Sequence, residues 1–365
     1  MKIAFYGSSL LSSYWNGAAT YYRGVLHDLA RRGWDVSFYE PDAFDRQKHR
    51  DIEPPEWAKV TVYSATEEDA RRVIAQAAYA DVVVKASGVG VFDDLLLAGV
   101  TEAAAPSAVK VFWDVDAAAT LDEMRAAPDH PLRAKLPELD LVMTYGGGDP
   151  VVNAYRGFGA KRCEPIYNAL DPATHFPVEP DPRFMGDLSF LANRLPDREK
   201  RVEQFFIEPA AQLPDRRFLI GGNGWGDKPM PENVTKIGHV GTGEHNAFNG
   251  SPLAVLNVAR DSMAEVGFSP ATRVFEAAGG AACLITDAWE GIELFLKPDA
   301  EVLVARDGKE VVEHVRALTP ERARVIGMAA RERILKEHTY ERRGALVDAI
   351  LREEVGRKRR AASAA

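Results

Sequence analysis

Residues 269–287 read SPATRVFEAAGGAACLITD. Ser269-Pro270 opens a helix, a run of Ala and Gly follows, and the chain then enters the apolar stretch Ala-Ala-Cys-Leu-Ile-Thr. A helix that delivers the chain into a continuous apolar strand is the repeating unit of a parallel sheet covered on both faces. Arg273 and Glu276 stand in this small-sided, apolar helix at a spacing of i and i+3. Side chains so spaced are neighbours. Either the two pair with each other, or the helix N-terminus and both charges face a ligand.

The same alternation extends in both directions. Upstream in the second half, strands are expected at 187–193, 216–222, 234–240 and 253–259, and downstream at 301–307. Helices are expected at about 197–212, 270–279, 308–318 and 320–337, with a last amphipathic helix at 340–356. The first half repeats the theme. Its strands are 2–7, 35–40, 60–64, 80–87, 108–115 and 139–146, and a helix at 17–32 carries apolar residues at helical spacing and stops at Gly33. Pro172, Pro177, Pro180 and Asp181-Pro182 break the pattern, which places a linker there. The fold class is α/β, with two Rossmann-like doubly wound domains, 1–178 and 179–339. Residues 340–365 are expected to form a C-terminal helix that ends in a frayed tail. Ligands of such sheets bind beyond the carboxyl ends of the strands, so the cleft between the domains is the expected site.

Composition bounds the function. A net charge of -9 excludes the basic field of a general nucleic-acid binder, and no specific nucleic-acid partner is expected. The two cysteines, Cys163 and Cys283, fall in different domains and suggest no disulfide framework. The start MKIAFYGSS lacks a signal-peptide core, and no run approaches the ~20 apolar residues of a membrane span. A cytoplasmic protein is expected. The oligomeric state is not legible.

Several strand ends carry chemistry-bearing residues. In YGSSLLSSYWNGAAT (6–20), Ser8, Ser9, Asn16 and Gly17 lie between the first strand and the first helix. The loop is not GxGxxG; it is either a ligand loop at a helix N-terminus or an ordinary turn capped by Asn16. In WDVDAAATL (113–121), Asp114 and Asp116 share one face of an extended segment at a strand end. Asp116 is a candidate general base and equally a helix cap. TYGGGDP (144–150) places Tyr145 and Gly146 at another strand end, most simply as a turn before a helix. LANRLPDREKR (191–201) sets Arg194 and Arg198 around a helix start, a good diphosphate cradle. Arg260 ends the strand before the opening stretch. His239 and His245 are six apart, a spacing that does not suggest a metal site.

WDVDAAATL, DLSFLANRLPDR, LNVARDSMAEVGFSPATRVFEAAGGAACLITD and EVLVARDGKEVVEHVRAL occur here in that order. Together they resemble the GT-B glycosyltransferases, nearest the CgeB-like group; the third stretch is the most specific. The resemblance implies that Glu276 hydrogen-bonds the ribose of a nucleotide-sugar donor. It implies that Ser269 and Thr272, with Arg273 nearby, lie beside the diphosphate, and that the main chain at 238–240, including His239 and Val240, meets the base. Many retaining relatives carry a second glutamate eight residues before the ribose-binding one; here that position is Phe268. The stereochemical outcome therefore stays open.

The expectation is a metal-independent, hexosyltransferase-like enzyme. Its co-substrate is a nucleotide-diphosphate sugar, UDP foremost, with no other cofactor and an unidentified acceptor. Arg194, Arg198 and the 269–280 helix would stabilise the diphosphate. The rivals are a nucleotide-sugar 2-epimerase on the same fold and a non-catalytic nucleotide or sugar sensor.

Overall fold

The computed structural model describes residues 1–14 and 16–364; Trp15 of the 6–20 loop and Ala365 lie outside the described residues. The chain divides into two compact units, Met1–Tyr167 with Tyr340–Ala365, and Asn168–Thr339.

The first unit is built on seven parallel strands: β1 (Lys2–Tyr6), β2 (Asp35–Asp42), β3 (Ala58–Ser64), β4 (Val82–Ala86), β5 (Val109–Asp114), β6 (Leu141–Thr144) and β7 (Cys163–Pro165). Their order is β3-β2-β1-β4-β5-β6-β7. The inner strands are buried on both faces, which is why they read as unbroken apolar runs rather than alternating ones. β7, three residues long, was not anticipated from the sequence. α1 (Ala18–Arg31) follows β1 and sets Tyr21, Tyr22, Val25 and Leu29 into the core.

The last helix, α6 in the order used here (Tyr340–Ala364), packs against α1. Gly24 makes this approach possible, since a Cβ there would stand 2.2 Å from the Tyr340 ring. α6 runs past the expected end at 356. Its basic stretch has acidic partners: Lys358 lies 2.9 Å from Asp140 and Arg359 lies 3.1 Å from Asp81.

The second unit has six parallel strands, β8 (Leu188–Leu191), β9 (Phe218–Gly221), β10 (Val234–Gly238), β11 (Ala254–Asn257), β12 (Leu284–Asp287) and β13 (Leu303–Ala305), in the order β10-β9-β8-β11-β12-β13. Both sheets reverse their winding once, at β1/β4 and at β8/β11, so each has a switch point where loops diverge and leave a crevice. The helix expected at 197–212 is interrupted. α2 (Pro196–Val202) passes through a π turn, Glu203–Ile207, before Glu208–Gln212. Pro209 supplies no N–H and its ring crowds the preceding turn, which the wider turn relieves. α3 (His245–Gly250), α4 (Asp261–Val266) and α5 (Thr272–Gly279) complete the elements around this unit's switch point.

The division between units falls at Tyr167/Asn168 rather than near 178. The Pro-rich stretch is held by the second unit. Leu170 donates its N–H to the His338 carbonyl (2.8 Å), and Asp181 donates to the Ser251 hydroxyl (2.8 Å). Asn246 grips both sides of residue 175, donating to Thr174 O (3.0 Å) and accepting from Phe176 N–H (3.4 Å). Backbone that a Pro-rich composition marks as linker is thus hydrogen-bonded to its own domain.

Candidate functional site

The carboxyl ends of β8 and β11 gather three arginines of the second unit, Arg198, Arg260 and Arg273. α5 enters from Ala271, and its first turn brings Arg273 inward. The Arg273 guanidinium donates to the Leu191 carbonyl at the end of β8 (3.2 Å) and to Asn249 Oδ1 (3.2 Å). Its Nη1 lies 3.4 Å from Glu276 Oε2. Burial lowers the Arg273 pKa and the Glu276 charge counters it. For Glu276, burial pushes the carboxyl up. Arg273 above all, then His175 and His245, pull it down further, and the net direction is below an ordinary glutamate. Glu276 is therefore ionised at neutral pH, with a side chain only 12% exposed.

Arg198, on α2, donates to the Asn193 carbonyl (2.8 Å) and lies over the Phe190 ring. Its Nε is buried without a hydrogen-bond partner. Burial is the main cause that brings its pKa down to about 10; Asp197 opposes the fall, and Arg260 and Arg273 add to it. Arg260 and Arg273 thus both act on Arg198 at the switch point. Arg260 pairs with Asp197 and Arg273 with Glu276. Among the described residues, Arg198 has only a carbonyl at hydrogen-bonding distance. The charge balance there leaves room for an anion.

Arg194, expected to share the diphosphate cradle, is engaged elsewhere. Its Nε and Nη2 form a two-pronged pair with Glu199 (2.9 and 2.7 Å), and Nη1 turns to Asp227 (3.3 Å). The loop places these two carboxylates beside it, and a guanidinium so occupied has little left for a phosphate. Ser269 donates its hydroxyl to the Gly267 carbonyl (2.9 Å), Thr272 begins α5, Val240 is buried, and His239 follows β10 exposed to solvent. Two histidines that the sequence did not connect with Glu276 lie beside it. His175 Nε2 is 3.6 Å from Glu276 Oε1, and His175, His245 and Glu276 each place one ligand atom within 4.8 Å of the others. Burial pushes the His245 imidazole down to about 4, against the pull of Glu276. His175 carries no motif that could have flagged it; it sits in the stretch read as linker.

In the first unit the expected residues take different parts. Asp114 is wholly buried at the end of β5. It accepts hydrogen bonds from Tyr155 Oη, Ser87 Oγ (2.8 Å), Asp116 N–H (3.0 Å) and Thr120 Oγ1 (3.1 Å). Burial raises its pKa and these donors, led by Tyr155, restrain the rise. Three donors meet on Oδ1 and Tyr155 on Oδ2, so Asp114, expected as a catalytic acid, ties β4, β5 and the helix after β6 together. Asp116 precedes the helix Ala117–Ala126 in the N-cap position, partly exposed, and its side chain makes no capping bond.

The 6–20 loop is also self-satisfied. Ser8 donates to Asn16 Oδ1 (3.0 Å), Ser9 donates to Glu40 Oε1 (2.9 Å), and Asn16 donates to the carbonyls of Ser9 and Ser12. Glu40 also accepts from Leu10 N–H (2.5 Å) and organises the loop. Sequence reading passed over this glutamate because it lies inside a strand. Gly17 directly precedes α1. Tyr145 sets its ring edge-on against Tyr21, and Gly146 is buried beside it. Ser8, Ser9 and Asn16 are therefore structural in this state, contrary to a ligand-loop reading. Among the described residues no helix is long and apolar enough to cross a membrane.

No curated protein matches the chain. Residues 198–351 match a family model described as glycosyl transferase-like. Solved structures match over nearly the whole chain at low identity. Sucrose-phosphate synthase from Thermosynechococcus elongatus is 14% identical, with a TM-score of 0.69 over 97% of this chain and 98% of that one. Anabaena Alr3699/HepE, in complex with UDP and glucose, is 13% identical, with a TM-score of 0.67 over 97% and 100%. T4 phage BGT, in complex with its UDP-glucose substrate, is 11% identical, with a TM-score of 0.59 over 97% and 99%. At such identities the likeness establishes architecture: two Rossmann-like, parallel-sheet domains of the GT-B type.

Proposed function

We infer that this protein is a glycosyltransferase that takes a sugar from a nucleotide-diphosphate donor, with UDP as the nucleotide, and that it belongs near the CgeB-like group. The observation that carries the reading is the meeting of Arg198, Arg260 and Arg273 with an ionised Glu276 at the β8/β11 switch point. A carboxylate able to accept from a ribose diol stands beside guanidiniums able to hold a diphosphate. The glycosyl transferase-like match covers this same region, and UDP accompanies two of the similar folds. Charge developing on the leaving diphosphate would be met by Arg198 and by the N–H groups at the start of α5. These are fixed groups, and in this reading the transfer proceeds without a metal.

Titration calorimetry with UDP tests the assignment. Arg198→Ala is expected to weaken UDP binding by roughly tenfold to a hundredfold, the scale of a charge-assisted hydrogen bond. Arg194→Ala should change it by no more than about twofold, because that guanidinium is committed to Glu199 and Asp227. Equal losses in the two variants would sink the assignment of the diphosphate to Arg198.

Asp116, at the end of β5, is the group this reading assigns to the acceptor. Asp116→Ala is expected to lower turnover by about 10²–10⁴-fold with UDP affinity retained. Turnover that survives the substitution would return Asp116 to a role at the helix start and favour a sensor.

A further inference from the structure

His175 is held with Nε2 turned to Glu276. The Thr174 hydroxyl donates to the Asp171 carbonyl (3.1 Å), and its oxygen lies 2.9 Å from His175 Nδ1, so Nδ1 is engaged outside the site. Nε2 faces Glu276 Oε1 at 3.6 Å. An imidazole nitrogen and a carboxylate oxygen are both ligand atoms for a metal ion. His245 adds a second ring at the same point, and its Nδ1 is buried without a hydrogen-bond partner.

The three side chains come from three separate segments, and the structure braces two of them, His175 and Glu276. Asn246 clasps Thr174 and Phe176 on either side of His175 while sitting next to His245. Arg273 faces the other carboxylate oxygen, Glu276 Oε2, and leaves Oε1 turned to the histidines. An outer hydrogen bond on each ligating group is what orients a metal ligand. Two ligand atoms on a tetrahedral zinc stand about 3.3 Å apart, given bonds of about 2.0–2.1 Å. The 3.6 Å between His175 and Glu276 is close to that.

We propose that His175, His245 and Glu276 form a site for a divalent transition ion of the zinc class, and that this ion and the donor ribose exclude each other. Two imidazoles and one carboxylate, with a fourth position open, suit such an ion; hard ions such as magnesium prefer all-oxygen shells. Exclusion follows from Glu276, and this half of the inference rests on the donor reading above. Oε2 faces Arg273, so an ion on Oε1 leaves no edge of the carboxylate for a diol. The transfer itself uses no metal; the ion would act as a blocker of the donor site.

The test uses Zn2+ alone on the full-length chain, in competition with a chromophoric chelator. Wild type is expected to take one equivalent, with affinity lowered at least about tenfold in His175→Ala and in His245→Ala. His175→Gln and thermal melts of each variant guard against misfolding. Absence of a one-equivalent site, or equal affinity in folded variants, overturns the proposal.

A second arm measures UDP binding at free Zn2+ fixed by a metal buffer. Weakened UDP binding in wild type, with at least tenfold less effect in His175→Ala, supports exclusion. UDP and Zn2+ bound together without mutual effect overturns it. Should Zn2+ bind as expected while metal-free protein never binds UDP, the donor reading and the exclusion fall and the metal site stands.

Discussion

Glu276→Gln is expected to weaken UDP binding by about 10- to 100-fold, read by calorimetry in metal-free buffer. A hydrogen bond to a charged group contributes about 1.5–3 kcal/mol, and each 1.4 kcal/mol is about tenfold. The substitution keeps the shape of the side chain and an oxygen for Arg273 but removes the ionised diol acceptor. Glu276→Ala goes further. It strips the buried Arg273 of its counter-charge, and breaking a buried pair in this way costs on the order of 3–5 kcal/mol of stability. The two substitutions therefore separate binding from folding. Undiminished UDP affinity in a folded Glu276→Gln protein would make Glu276 only the counter-ion of Arg273, and the donor site would have to be sought elsewhere.

Asp114→Ala is expected to destabilise the protein by about 3–5 kcal/mol, seen as a lower urea midpoint. The carboxylate is wholly buried and accepts from Tyr155, Ser87, Thr120 and the Asp116 backbone. Its removal leaves those donors without a partner, and each buried donor left unmade costs roughly 1–3 kcal/mol. Asp114→Asn should fall between wild type and Ala, since an amide oxygen satisfies some donors while its NH2 opposes the rest. The competing reading, Asp114 as a catalytic base, predicts the reverse pattern: normal stability with lost turnover. A variant that unfolds at the wild-type urea concentration yet fails to transfer sugar would overturn the assignment of Asp114 as a brace.

Most elements were legible because their signals are local. The Val-Val-Val run of β4 and the helical spacing of Tyr21, Tyr22, Val25 and Leu29 each follow from what a strand or helix must bury. The same holds for Glu276. A carboxylate among Ala, Phe and Gly in a buried helix is conspicuous without any knowledge of its neighbours. Arg198 was readable as one of two arginines at a helix start.

Which of the two arginines was free was not readable. Arg194 and Arg198 are four residues apart, and what distinguishes them is Asp227, more than thirty positions away in sequence, together with Glu199. Asp114 and Asp116 looked equivalent on one face of a strand end. Tyr155, on another element, decides that one of them is locked in the core.

The sequence by itself determined the two parallel sheets, their strands apart from the short β7, and the charged pair Arg273/Glu276 in an apolar helix, because hydrophobic period and turn chemistry act over a few residues. Only the tertiary structure decided which polar groups are left unspent. Hydrogen-bond satisfaction is a property of three-dimensional neighbourhoods. Ser9 and Asp114 were consumed by partners far along the chain, and Arg194 by nearby Glu199 together with distant Asp227. His175, in a stretch that composition marks as linker, was brought beside Glu276 by backbone bonds that no local pattern announces.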